Sequence, residues 1–253
     1  MIKFFRKIRQ NLLMENKTGK YFKYAIGEII LVVIGILIAL WLNNLNQQRI
    51  ELQESSKLKI ELKEELLDNK KSFKIYKDYV EQCHKKIIKV LSISTNENTE
   101  ISMDTLRMFV KEMIPLSALS INKSKLNSAK TSGQFKLLTS EESASLAVYE
   151  TALDNFKEAK ESVNLSFKDV MTLLLHFSTN ELYHKQIFPN VVFPKHPYYD
   201  LSDKDLLAFL KKRETYEKLN IILTGIMLDF SWLKELDSNI DKTIEILSLQ
   251  TDN

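Results

Sequence analysis

The sequence predicts an all-α protein: one N-terminal transmembrane helix followed by a long antiparallel helical bundle with coiled-coil-like seams. Three observations predict it. An apolar run near the N-terminus has the length of a membrane span, Gly and Pro are scarce, and the remainder shows three long stretches of helical periodicity. Tight turns consume Gly and Pro, and five Gly with four Pro in 253 residues supply too few for a β-rich domain. An apolar fraction of 44% with 27% charged residues is that of a folding chain, which argues against wholesale disorder.

Residues 25–42 read AIGEIILVVIGILIALWL, with Glu28 the single charge. At the helical rise this run is ~27 Å long, close to the ~30 Å hydrocarbon core of a bilayer. Tyr21, Phe22 and Tyr24 supply an aromatic belt on the entry side, and Trp41 supplies one on the exit side. Residues 25–45 are therefore read as the transmembrane helix, 1–24 as a basic arm and 46–253 as the bundle. The arm holds Lys3, Arg6, Lys7, Arg9, Lys17, Lys20 and Lys23 against Glu15 alone, and no charge follows the span before Arg49. Positive charge stays inside, so the amino terminus is expected in the cytoplasm and the remainder across the membrane. A cleaved signal peptide has a shorter apolar region and a small-x-small cleavage site. The long run ending in Leu-Trp-Leu-Asn-Asn fits an uncleaved anchor better. In the arm, Ile2, Phe5, Ile8 and Leu12 share one helical face, which suits a helix lying on the anionic inner leaflet of the bilayer.

Charge and cysteine narrow the function classes. Beyond the span the chain carries 29 basic and 31 acidic residues, so the net charge of +3 belongs to the arm. A nucleic-acid partner is not expected from a nearly neutral folded domain. The lone Cys83 excludes an intramolecular disulfide and a Cys-based zinc site, and is expected as a small apolar seam residue.

Two features of the span suggest contacts. Gly27, Leu31, Gly35 and Ala39 are four apart and share one face, and Gly35-x-x-x-Ala39 is a small-xxx-small pair. Such a face lets two helix backbones approach closely in lipid, so a homo-oligomer or another envelope protein is the expected partner. Glu28 lies near the cytoplasmic edge, where a carboxylate snorkels to the headgroups; a polar contact with a partner helix is the alternative.

The stretch MIKFFRKIRQNLLMENKTGKYFKYAIGEIILVVIGILIALWLNN resembles the opening of a large family of uncharacterised single-pass membrane proteins of Bacteroidota that share a domain of unknown function. The likeness is specific over residues 1 to 48 and weaker afterwards, with a fainter match at LNSAKTSGQFKLL, residues 126–138. Trp41-Leu42-Asn43-Asn44 departs from the Gln-Ile-Asn-Asn-Trp-type string of many relatives, which touches only the interfacial belt. The resemblance implies a Gram-negative inner membrane and a periplasmic domain. It implies no activity.

Past the span, apolar residues recur in steps of three and four. The first seam runs Leu62, Leu66, Asn69, Phe73, Tyr76, Val80, Cys83, Ile87, Val90, and residues 46–92 are expected as one helix. The second runs Leu146, Tyr149, Leu153, Phe156, Lys160, Val163, Phe167, Val170, Leu174, Phe177. The third, within 202–249, runs Leu219, Leu223, Ile226, Phe230, Leu233, Asp237, Ile240, Ile244, Leu247. Thr139 with Glu142, and Ser202 with Asp205, read as capping boxes, and Gly133 as a C-terminal cap. Residues 102–131 are expected as two shorter helices broken at Pro115.

Each seam has one polar interruption: Asn69, Lys160 and Asp237. Buried polar residues can fix register, and Lys160 would need a carboxylate. The favoured expectation is instead that helix rotation places all three at the surface, with Ala159 inside in place of Lys160. Glu181-x-x-His184, with His176 nearby, has a metal-ligand spacing but no second copy, so neither metal nor cofactor is expected. Residues 188–200 form a Pro- and aromatic-rich loop. There Phe193, His196, Tyr198 and Tyr199 are the candidate partner-binding residues, since exposed aromatics bury area at low entropic cost. No phosphate loop, nucleophile elbow or triad spacing occurs, so an enzyme is not expected. The expected function is a membrane-anchored helical scaffold or adaptor acting by protein–protein interaction in the envelope. The alternative is a sensor-type ectodomain that binds a small ligand and signals through a membrane partner.

Overall fold

A computed structural model describes residues 18–95, 101–115, 119–175, 184–185, 187–192, 194 and 202–249. Among the described residues every regular element is helical. The helices are α1 (Thr18–Thr95), α2 (Met103–Glu112), α3 (Ser124–Thr131), α4 (Ser140–Leu175), α5 (Asp203–Leu210) and α6 (Arg213–Ser248), with a 3-10 turn at Gln134–Leu137.

Local chemistry accounts for most boundaries. α1, at 78 residues, runs through the stretch expected as one helix and ends where Ser92, Ser94 and Thr95 bond back to carbonyls of the preceding turn. Such hydroxyls compete with the backbone ladder and favour a helix end. Ser102 caps α2 by accepting from the Thr105 N–H, with Asp104 in the first turn and Lys111 in the last, as the helix dipole favours. α2 stops before Pro115, as expected. Both capping boxes form: Thr139 N–H donates to the Glu142 carboxylate at 2.8 Å and Glu142 N–H to the Thr139 hydroxyl at 3.2 Å. Ser202 and Asp205 do the same at α5. Gly133 sits just past α3 with φ +77°, a left-handed conformation in which any other residue is strained. The stretch 202–249 is two helices rather than one, interrupted at Lys211 and Lys212.

The chain divides into two units, residues 1–57 and 58–253. In the first, the described residues are helix, and none of the side chains whose burial is defined there, at 22–23 and 25–57, is buried. The second has a contiguous core whose first member is Leu58. Residues of the α1 seam from Leu62 to Val90 are all buried there. So are Leu146, Tyr149, Leu153, Phe156, Val163 and Phe167 of α4, which packs along α6.

The third seam differs from expectation at every second position. α6 buries Leu219, Ile222, Ile226, Asp229, Leu233, Leu236, Ile240, Thr243 and Leu247. Leu223, Phe230, Asp237 and Ile244 lie one residue over, at the edge or outside. The cause is chemical: Asp229 and Thr243 have polar partners inside, described below.

Candidate functional surfaces and a buried polar centre

In the first unit, α1 is the one helix among the described residues that is long and apolar enough to cross a membrane, and none of its 18-residue apolar window is buried within the chain. Leu31 is 69% exposed and Trp41 61%. On the small-residue face, a Cβ added at Gly27 or Gly35 would meet nothing within 4 Å, and Ala39 is exposed on the same side. Glu28 is half-buried beside that face. The described residues thus leave this face open.

The second unit holds a buried polar centre. Lys160 of α4 reaches the carboxylate of Asp229 on α6, and its ammonium also donates to the Pro115 carbonyl at 3.1 Å. It lies 5.7 Å from the ring centre of Tyr76 on α1, a cation–π arrangement. The side chains are 12% and 2% exposed for Lys160 and Asp229, so the surface placement expected for Lys160 is corrected. Ala159 is only half-buried. The lysine stays inside because a carboxylate, a carbonyl and an aromatic face meet its charge there.

Burial pushes the Asp229 carboxyl above the usual carboxylate range, against the pull of Lys160 and Tyr76. Burial, followed by the charge of Asp229, also pushes the Tyr76 phenol well up. Its hydroxyl feels that carboxylate but lies outside good hydrogen-bond geometry. Cys83, fully buried in the seam as expected, has its thiol raised by burial despite Tyr79, Lys86 and Lys160 nearby. A raised thiol inside a core is unreactive.

Asn69 is the second correction, at 2% exposure. Its amide brackets the Asn122 backbone, donating to the carbonyl at 2.7 Å and accepting from the N–H at 2.9 Å. It also donates to the Tyr149 hydroxyl at 3.2 Å. One turn earlier, buried Glu65 accepts from Ser124, Lys125 and Leu126, placing its charge at the N-terminus of α3. Asp237 alone follows the surface expectation: it is half-buried, with Leu236 taking the inner place.

Two grooves run between α1 and α6. One of about 480 Å³ is lined by Leu67, Lys70, Lys74, Lys77, Leu233 and Asp237. The other, about 370 Å³, is lined by Glu81, His84, Ile226, Met227 and Phe230. Lys77 stands 5.6 Å over the Phe230 ring, and Lys70 pairs with Asp241 across the seam.

The candidate loop residues Phe193, His196, Tyr198 and Tyr199 lie outside the described residues, as do Glu181 and His176 of the weighed metal spacing. His184 packs against Phe188 at 5.6 Å between ring centres. Just before the candidate residues, Ile187, Phe188, Val191 and Val192 are exposed, Val192 by 91%. Among the described residues no group of three His, Cys, Asp or Glu side chains is placed to hold a metal. Asp229 was missed from sequence because Phe230 beside it continues the apolar pattern. The signal that pointed to it was the need of Lys160 for a carboxylate. Comparison with protein families, with characterised proteins and with solved structures finds no match to this chain.

Proposed function

We propose that this protein is a single-pass inner-membrane anchor carrying a helical scaffold or adaptor unit on the periplasmic side, acting through protein–protein contact rather than catalysis. The observation that carries the reading is an apolar window that the described residues leave uncovered, in a helix that also contributes a seam to a packed core. Leaving that much aliphatic surface in water is strongly unfavourable, whereas hydrocarbon accepts it. Seven basic residues before the span and none between it and Arg49 support an inside amino terminus. The likeness of residues 1 to 48 to the Bacteroidota family supports the inner membrane. The second unit is read as an antiparallel, coiled-coil-like bundle, because α4 packs along α6 and α6 buries residues at heptad spacing.

Partners are proposed at two places. A second copy pairs through Gly27, Leu31, Gly35 and Ala39, and an envelope protein docks on the loop carrying Phe193, His196, Tyr198 and Tyr199. A photoreactive amino acid incorporated at positions 190–199 in cells, followed by mass spectrometry, tests the second. The expected result is one enriched envelope protein; a ladder no different from uncrosslinked cells removes the loop as a docking site.

The sensor reading rests on the α1/α6 grooves, whose volumes of about 480 and 370 Å³ lie in the range of small-ligand sites. Stoichiometric release of one small molecule from purified, denatured full-length protein would favour it. Release of nothing leaves the scaffold.

A further inference from the structure

Helix α6 carries two competing apolar stripes offset by one residue. Leu219, Ile226, Leu233, Ile240 and Leu247 belong to both. Between them, the chain buries Ile222, Asp229, Leu236 and Thr243, although Leu223, Phe230 and Ile244 stand one position over with Asp237. The outer set is the more hydrophobic. Burial of apolar area alone therefore favours turning the helix by ~50°, half the angular step of one residue, which exchanges one set for the other and keeps the five shared residues inside. Specific contacts with α4 hold it otherwise.

Asp229 pairs with Lys160, and the Thr243 hydroxyl accepts from the Ser145 hydroxyl at 2.9 Å. Between 222 and 229 the helices come close at Gly225, where an added Cβ would lie 2.4 Å from the Phe167 ring and 2.8 Å from Val163. Turned that far, α6 would present Phe230 inward and withdraw Asp229. The Lys160 ammonium would then keep only the Pro115 carbonyl and the Tyr76 face. A buried charge stripped of its counter-ion is among the most unfavourable arrangements a core can adopt.

We propose that the Lys160–Asp229 and Ser145–Thr243 pairs form a rotational lock that holds α6 in the less hydrophobic of two orientations. The consequence is outward display of Met227 and Phe230, which line the 370 Å³ groove with Glu81 and His84. Loosening the lock turns a helix and withdraws that apolar surface, so the pairs form a conformational device as well as a fold determinant.

The test uses full-length protein in nanodiscs with one reporter cysteine at a time, at Met227 or Leu236; native Cys83 is fully buried and stays silent. With the lock intact, Met227→Cys reacts quickly with a maleimide and Leu236→Cys is protected. In a Lys160→Met/Asp229→Ala/Thr243→Ala background both pairs are gone and the buried set stays the less hydrophobic one, so the two orientations become comparable in population. Labelling at position 236 then accelerates by roughly tenfold or more while that at 227 slows, with helicity by circular dichroism retained. Unchanged rates at both positions in the folded triple variant overturn the proposal. Should that variant lose helicity, the charge-reversed Lys160→Asp/Asp229→Lys protein decides. Recovery of the original labelling ratio supports the lock; an altered ratio or loss of helicity counts against it.

Discussion

A lysine ammonium stays in a core only where its charge is met, and Lys160 is met from three directions. Its partners come from α6, from the carbonyl after α2 and from the ring of Tyr76 on α1. Removing one member of such a pair leaves the other buried and uncompensated, so Lys160→Met alone is expected to destabilise by about 3–5 kcal/mol. Lys160→Met with Asp229→Leu removes both charges and should match or exceed the parent at neutral pH, as chemical denaturation would read. The pH dependence follows from the raised Asp229 carboxyl. Folded Asp229 binds its proton at higher pH than the unfolded chain does. Its contribution is therefore full below the unfolded value and is lost as pH rises through the raised folded value. Acidification should accordingly shrink the double variant's advantage; an advantage that grows towards acid would contradict the burial account. In sequence, Asn69 and Lys160 were visible as polar breaks in apolar seams. Which breaks turned inward was not, because that depends on Asn122, Tyr149 and Asp229, each distant along the chain.

Elements were most legible where their determinants are local. Capping boxes at Thr139–Glu142 and Ser202–Asp205, the left-handed Gly133 and the break before Pro115 all rest on neighbours within a few residues. The rotation of α6 rests on α4, and a periodicity that scores hydrophobic residues prefers Phe230 and Ile244 to Asp229 and Thr243. That is why every second position of that seam went astray. The close approach at Gly225 was equally hidden, since a glycine inside a helical pattern looks only like a weak helix former. Structure gives it a role, because no side chain fits between α6 and the Val163–Phe167 surface. Gly225→Ala should gain helix propensity yet lose more to overpacking, for a net loss of ~1–3 kcal/mol measured by thermal or urea unfolding. A stabilised Gly225→Ala protein would show that Phe167 moves aside freely.

For the whole molecule the decisive feature is the asymmetry of charge around one apolar helix that the described residues leave uncovered. The apolar helix was legible because a helix that crosses a bilayer takes its length from bilayer thickness and its composition from lipid. The segment proposed to bind a partner was legible only as composition, and Phe193, His196, Tyr198 and Tyr199 lie outside the described residues. On the proposed topology, Lys17, Lys20 and Lys23 hold the amino terminus inside while Asn43, Asn44 and Gln47 offer no charge to oppose translocation. Moving the charge should therefore move the protein. Replacing the three lysines by Gln and placing Lys at 43, 44 and 47 reverses the local bias without changing the apolar run, since only charge near the span ends sets orientation. A C-terminal alkaline phosphatase fusion, active only after export, reads the outcome. The parent fusion should be active and the swapped one should lose a substantial share of that activity, with a matching rise from a fluorescent-protein fusion that matures inside. The remaining basic residues, Lys3, Arg6, Lys7 and Arg9, lie within the distance over which the bias acts, so a mixed population is the expected form of the change. Full phosphatase activity in the swapped protein would mean that the helical unit, and not the arm, dictates the direction of insertion.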